Sequence, residues 1–152
     1  MSICLLDTSV FVEILNVPHM VKQRNTTLAE LGQKIQNGES LFLPMATIFE
    51  TGNHIAQNGD GTQRRKCAED FVEQVQQALD GASPFIPLNF PMNEDLKRWL
   101  TGFPDSAMRE SGIGDLSIIH DWKYQCNLFP TRHVYIWSLD VHLSAHDQSA
   151  RI

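Results

Sequence analysis

The stretch Ser2-Ile3-Cys4-Leu5-Leu6-Asp7-Thr8-Ser9 decides how this chain reads. Residues 2–6 are β-branched or apolar with no polar alternation, the pattern of a strand covered on both faces. Asp7 ends the run. Thr8 or Ser9 is a natural N-cap for a short helix over Val10 to Leu15, which Asn16-Val17-Pro18 stops. A buried strand that passes through an acid straight into a helix is the start of an α/β protein.

The same alternation continues outward. Thr27-Leu28-Ala29-Glu30 has capping-box spacing and predicts a helix to about Gly38, with Leu28, Leu31 and Ile35 as its apolar stripe. Ser40 to Leu43 reads as a second strand ended by Pro44. Thr47-Ile48-Phe49-Glu50 is another capping box, opening a helix to about Gln57. After the turn Asn58-Gly59-Asp60-Gly61, a helix over about 62–80 puts Cys67, Phe71, Val75 and Leu79 on one face. Residues 84–91 are proline-rich and extended. A helix over about 93–101 follows, then a loop or short helix from Phe103 to Ser111. Gly112-Ile113-Gly114-Asp115 leads into an apolar helix over about 115–126, and Val134 to Leu139 is a third buried strand followed directly by Asp140. Buried strands alternating with helices predict a three-layer α/β/α sandwich with a central, mainly parallel sheet.

At 152 residues the chain has the size of one domain, residues 1–152, on the usual scale of about 100–200 residues per domain. It is 42% hydrophobic, enough for an ordinary core without disulfides or a structural metal. No run approaches the ~18 apolar residues of a membrane span. The first apolar run is short and has no basic segment before it, which argues against a secretory signal. Cys4, Cys67 and Cys126 are far apart and in no CxxC spacing, which predicts reduced thiols and a cytoplasmic protein. The net charge of −6 is the wrong sign for a generic nucleic-acid binder.

Four acids change that last reading. Asp7 and Asp140 follow buried strands, and open parallel sheets bind ligands outside the carboxyl ends of their strands. Glu50 and Asp115 begin helices that enter the same crevice. Four carboxylates in one pocket raise each other's pKa unless compensated. Mg²⁺ or Mn²⁺ would compensate them, because hard divalent cations prefer carboxylate and water oxygens. Setting the four acids aside takes the balance from −6 to −2, so RNA is no longer excluded. The chemistry implied is phosphodiester hydrolysis. Each acid also has a plainer reading. Asp7 and Asp115 suit helix caps, Glu50 the second half of the Thr47 capping box, and Asp140 a strand-end turn.

Leu5-Leu6-Asp7-Thr8-Ser9 after an N-terminal strand, the helix carrying Glu50, Gly114-Asp115 before an apolar helix, and Trp137-Ser138-Leu139-Asp140 together resemble the PIN-domain ribonucleases, among them toxins of VapC-type toxin–antitoxin pairs. The resemblance spans residues 3 to about 147. Each motif is short, and their order is what is specific. Residues 58–112 carry no motif of the family. The resemblance implies one PIN-like α/β/α domain and a Mg²⁺- or Mn²⁺-dependent endoribonuclease. Asp7, Glu50, Asp115 and Asp140 match the acidic quartet. Ser9 (or Thr8) matches the hydroxyl that holds a metal-bound water or a phosphate. It also implies a protein antitoxin that occludes the acidic pocket.

Other residues carry weaker expectations. Arg64, Arg65 and Lys66 are the foremost candidate phosphate contacts, with Lys97, Arg98 and Arg132 behind them. Phe11, Ile14, Leu15 and the 28–35 helix are candidates for a homodimer or antitoxin surface, with core packing as the default. His142 and His146, with Asp147 beside them, have a spacing that can bind zinc, though surface histidine is the plainer reading. Asp147 is an alternative to Asp140, and Asp121 is expected to face away from the pocket. Trp99 and Trp122 read as core. Two competing functions stand beside the nuclease. One is a PIN-like module that binds RNA or protein without catalysis. The other is a phosphohydrolase with an aspartyl nucleophile, disfavoured because Ser9 occupies the place of its second Asp.

Overall fold

The computed structural model describes residues 1–150. Five strands form one sheet in the order β3-β2-β1-β4-β5. They are β1 (Ile3–Leu6), β2 (Ser40–Leu43), β3 (Phe85–Pro87), β4 (Val134–Trp137) and β5 (Asp147–Gln148). The first four run parallel, and the two-residue β5 pairs antiparallel with β4. The helices are α1 (Thr8–Ile14), α2 (Arg24–Gln36), α3 (Met45–Gln57), α4 (Gly61–Leu79), α5 (Asn93–Met108), α6 (Ile113–Leu128) and α7 (Val141–Ser144).

All four residues of β1 are fully buried, as a strand covered on both faces requires. The pleat divides them between two cores. Cys4 and Leu6 face a cluster with Val10, Phe11, Leu43 and Trp137, while Ile3 and Leu5 face one with Ile118, Val134, Ile136 and Leu143. This is the expected three-layer α/β/α sandwich with a central, mainly parallel sheet. Because β2 and β4 flank β1 on opposite sides, the chain leaves β1 and β4 toward different layers. Their carboxyl ends are the switch point of the sheet, the place where open parallel sheets take ligands.

Several boundaries differ from the sequence reading. Asp7, not Thr8 or Ser9, caps α1. α2 starts at Arg24, and Thr27 is buried inside it rather than capping it. The amides of Lys22 and Gln23 ahead of α2 donate instead to the fully buried Glu13 carboxylate, at 2.8 and 3.2 Å. α3 starts at Met45, right after Pro44, so Thr47 is not its cap. The Thr47 hydroxyl donates to the Leu6 carbonyl at 2.7 Å, fastening α3 to the end of β1. α5 runs on through Pro104 to Met108 instead of ending near residue 101. β4 ends at Trp137, two residues earlier than expected. β3 and β5 were not legible as strands. Pro87 is tolerated because β3 is an edge strand.

Phe11 is fully buried, meeting Phe71 and Phe85 edge-on at 6.5 and 5.8 Å, and Leu15 is 7% exposed. Neither is available to a partner, which removes them from the expected homodimer or antitoxin surface and leaves the default of core packing. Among the described residues no helix is long and apolar enough to cross a membrane.

Candidate active site

Tracing each strand to its carboxyl end leads to the four acids. Asp7 follows β1 and is 4% exposed. Its Oδ2 accepts from the Ser9 hydroxyl at 2.8 Å, the Ser138 hydroxyl at 2.8 Å and, more weakly, the Ser9 amide at 3.4 Å. Ser138 follows β4, so this oxygen joins the ends of the two central strands. The same hydroxyls order the chain beyond β4. The Leu139 amide donates to Ser9 at 2.9 Å and the Asp140 amide to Ser138 at 2.9 Å. Asp140 is exposed and caps α7 by accepting from the His142 amide at 2.9 Å.

Glu50 reaches across from α3. Its Oε2 accepts from the Thr8 hydroxyl at 2.8 Å. Its other oxygen lies over Gly114 so closely that a Cβ there would be 1.6 Å from Oε1. Only a glycine lets α6 and this carboxylate approach so near. Asp115 is the next residue, in the first turn of α6. Its pKa is raised, first by burial and then by the charges of Asp7, Glu50 and Asp140, while a backbone hydrogen bond from Gly112 opposes the rise. The other three predicted acids, drawn from separate elements, therefore all act on Asp115.

Whether this set suits a metal is a question of donor chemistry. Carboxylates and hydroxyls, with no Cys and no His among them, are the donors of a hard divalent cation, and mutual repulsion at Asp115 is what such a cation would relieve. As they stand, three of the acids are turned to protein donors. Among the described residues no three His, Cys, Asp or Glu side chains are placed to hold an ion together. The donor set fits by composition and neighbourhood. The side-chain rotation needed to converge on an ion exchanges a hydroxyl or amide donor for the cation.

The plainer readings hold in part for the same residues. Asp7 and Asp140 are helix caps as well as pocket acids. Ser138 and Gly114 were not given a role from sequence. Ser138 had a signal, since its hydroxyl stands two residues before Asp140 as Ser9 stands two after Asp7. Gly114 had none, because the close approach of Glu50 is a tertiary event.

The cations are not gathered at the pocket. Arg64 donates to the Gly59 carbonyl at 2.5 Å and Arg132 to the Met1 carbonyl at 2.8 Å. Arg65, Lys66, Lys97 and Arg98 pair with Glu69, Asp70, Glu94 and Asp95 on their own helices. Such exposed pairs, screened by water, hold weakly and can exchange for phosphate. A groove of about 790 Å³ between α1, α2 and α4 is lined by Ile14, Arg24 and Lys66 and touches none of the four acids.

Asp147 cannot replace Asp140. It lies on β5 opposite Tyr135 and binds His133 at 2.7 Å, on the far side of β4 from the pocket end. His146 directs Nδ1 at the His142 carbonyl, 3.0 Å away, and packs edge-on against Trp122, so the two histidines form no zinc pair. Trp122 donates to the Val134 carbonyl at 3.0 Å and packs on the second core, and Trp99 stacks on His120 at 5.1 Å.

Fold and site together define an α/β/α protein with a mainly parallel sheet, in which three carboxylates act on a fourth, Asp115. No family model and no curated protein matches the chain. Among solved structures it is similar to a chain of "Crystal Structure of FitAcB from Neisseria gonorrhoeae", with a TM-score of 0.56 and 16% sequence identity over 94% of this chain and 91% of that one. At that identity the likeness is one of fold.

Proposed function

We propose that this protein is a Mg²⁺- or Mn²⁺-dependent endoribonuclease, with Asp7, Glu50, Asp115 and Asp140 as its acidic centre. The observation that carries the reading is Asp115. Its carboxyl is raised first by burial and then by the charges of the three other acids, each carried at the start of, or within, a different helix. Structural capping explains Asp7 and Asp140 singly, but not why Glu50 is led over a glycine to meet them. A divalent cation held by these carboxylates would supply an activated water and stabilise the departing oxygen of a phosphodiester.

The chain's own residues do the positioning. Ser9 and Ser138 orient Asp7 through Oδ2, leaving Oδ1 for the pocket. Thr8 holds Glu50 by one oxygen. Burial and the neighbouring charges favour the protonated form of Asp115. Ser9 and Thr8 are candidate hydroxyls for an incoming phosphate, and Arg64, Arg65 and Lys66 are candidate contacts for the rest of the strand.

The reading extends to a toxin of a toxin–antitoxin pair, a homodimer whose antitoxin covers the acidic pocket. Its support is the motif resemblance and the shared fold. The alternative of a non-catalytic RNA- or protein-binding module draws on one observation, that the acids as they stand do not converge on a single ion.

Incubating the purified protein with RNA decides between them. Cleavage is expected with Mg²⁺ or Mn²⁺ and should stop with chelator and in Asp7→Asn and Asp115→Asn. A binding module would hold RNA equally well through both substitutions and cut nothing. For the partner, co-expression with the product of the adjacent gene should silence cleavage. Undiminished activity of the mixture would exclude that product as an antitoxin.

A further inference from the structure

We propose that Ser2, His133 and Asp147 form a nucleophile–base–carboxylate relay, a second catalytic centre that hydrolyses small carboxylic esters at the end of the sheet opposite the four acids. His133 Nε2 meets Asp147 Oδ1 at 2.7 Å, and its Nδ1 meets the Ser2 hydroxyl at 3.1 Å. A carboxylate only accepts, so in the neutral imidazole Nε2 carries the hydrogen and Nδ1 is left to accept the Ser2 proton. Ser2 and His133 stand side by side just ahead of β1 and β4, because the Ile3 amide donates to the His133 carbonyl at 2.8 Å and the Ser40 amide to the Ser2 carbonyl at 3.0 Å. Asp147 returns to them on β5, opposite Tyr135. The His133 ring lies on the Tyr135 ring, with centroids 4.7 Å apart and planes at 15°, which fixes its plane. The His133 and Asp147 side chains are 37% and 49% exposed, so a small substrate can reach the relay. A purely structural link would need less than this, since the ladder already joins the strands and an exposed histidine–aspartate pair adds little stability.

The order of groups is that of acyl transfer. Ser2 Oγ attacks the ester carbonyl carbon while its proton passes to His133 Nδ1. The adduct then collapses, the bond from carbon to the alcohol oxygen breaks, and the alcohol leaves with that proton. Water adds to the acyl-serine, with His133 again taking a proton, and the carboxylic acid departs as Ser2 is restored. Asp147 is a positioning residue that holds the tautomer and faces the imidazolium formed in each half. Arg132 donates through Nε to the Met1 carbonyl at 2.8 Å, one peptide bond from Ser2, and lies over the Phe129 ring at 5.1 Å. Its guanidinium brings a positive charge beside the nucleophile, where the oxyanion of the adduct develops. The relay uses none of the four acids, so its failure would leave the nuclease reading untouched.

The test treats the full chain, in chelator, with a fluorophosphonate probe and separately with p-nitrophenyl acetate. Labelled peptides are read by mass spectrometry, and urea midpoints check folding. The wild type should carry the probe on Ser2 and release nitrophenol with a burst. Ser2→Ala should lose the label. His133→Gln should label at least about 100-fold more slowly, the lower end of what a positioned base contributes. Asp147→Asn should lower kcat for the ester by at least about 100-fold with KM little changed, and Asp147→Glu, which keeps the carboxylate, should recover part of that loss. A wild type that leaves Ser2 unlabelled, or takes the probe equally on other serines, would overturn the relay. So would an Asp147→Asn protein that unfolds earlier yet labels at the wild-type rate, since that marks the histidine–aspartate pair as structural only. Should Asp147→Asn fail to fold, the labelling rate of His133→Gln decides in its place.

Discussion

Gly114→Ala separates the pocket from the fold more sharply than removing an acid does. The added Cβ would sit 1.6 Å from Glu50 Oε1 and 2.7 Å from its Cδ. What it meets is the end of a flexible side chain, so Glu50 swings aside and the backbone of α6 stays where it is. The swing breaks the 2.8 Å bond from Thr8, a loss of about 1.5–3 kcal/mol for a charged acceptor. Alanine returns about 0.5–1 kcal/mol relative to glycine within a helix. The net destabilisation is then about 0.5–2.5 kcal/mol, small enough for the protein to stay folded. Displacing one acid of the pocket should lower affinity for Mn²⁺ by at least about 10- to 100-fold, the range seen for disturbed supporting groups. Urea unfolding, titration calorimetry with Mn²⁺ and RNA cleavage measure the three quantities on one preparation. Unchanged Mn²⁺ uptake and cleavage in a folded Gly114→Ala protein would refute the placement of Glu50 in the centre. Loss of more than about 4 kcal/mol of stability would refute the view that Glu50 can yield without the backbone.

Three further outcomes follow from named contacts. Ser138→Ala removes one of two hydroxyls on Asp7 Oδ2 and the partner of the Asp140 amide, so calorimetry should show Mn²⁺ binding about tenfold weaker, and an unaltered affinity would discount Ser138 as a positioning residue. Glu13→Ala strips two amides ahead of α2 of a fully buried carboxylate acceptor and should cost about 2–4 kcal/mol in urea unfolding, where a change below about 1 kcal/mol would contradict that role. Burial pushes Asp121 from its ordinary 3.8 up to about 7. The folded state therefore keeps a proton that the unfolded chain releases between those values, and stability falls as pH rises through that window, by at most about 4 kcal/mol from this group. Asp121→Asn should remove that slope and stabilise the protein at pH 8 but not below about pH 4. Parallel pH–stability curves for the two proteins would argue against a buried acid at 121.

Sequence alone determined the strand–helix alternation and offered the four acids as candidates. The alternation is written locally: uninterrupted apolar runs at 3–6, 41–43 and 134–137 are satisfied by cover on two faces, and Asp7, right after the first of them, must sit at a strand end. It could not determine β3 and β5, because three residues containing a proline and two polar residues become strands only when a neighbour supplies the ladder. Nor could it decide helix starts where long-range contacts outcompete local caps. Thr47 spends its hydroxyl on Leu6, forty-one residues away in the chain, and Glu13 takes the amides of Lys22 and Gln23, so that α2 starts at Arg24, ahead of the expected cap Thr27. Tertiary structure alone decided that Glu50 lies over Gly114, that Ser138 shares Asp7 with Ser9, and that Phe11 and Leu15 belong to the core. Periodicity ranks residues along one element. Which of them meet depends on how separate elements are stacked, and that information lies in no single stretch of the chain.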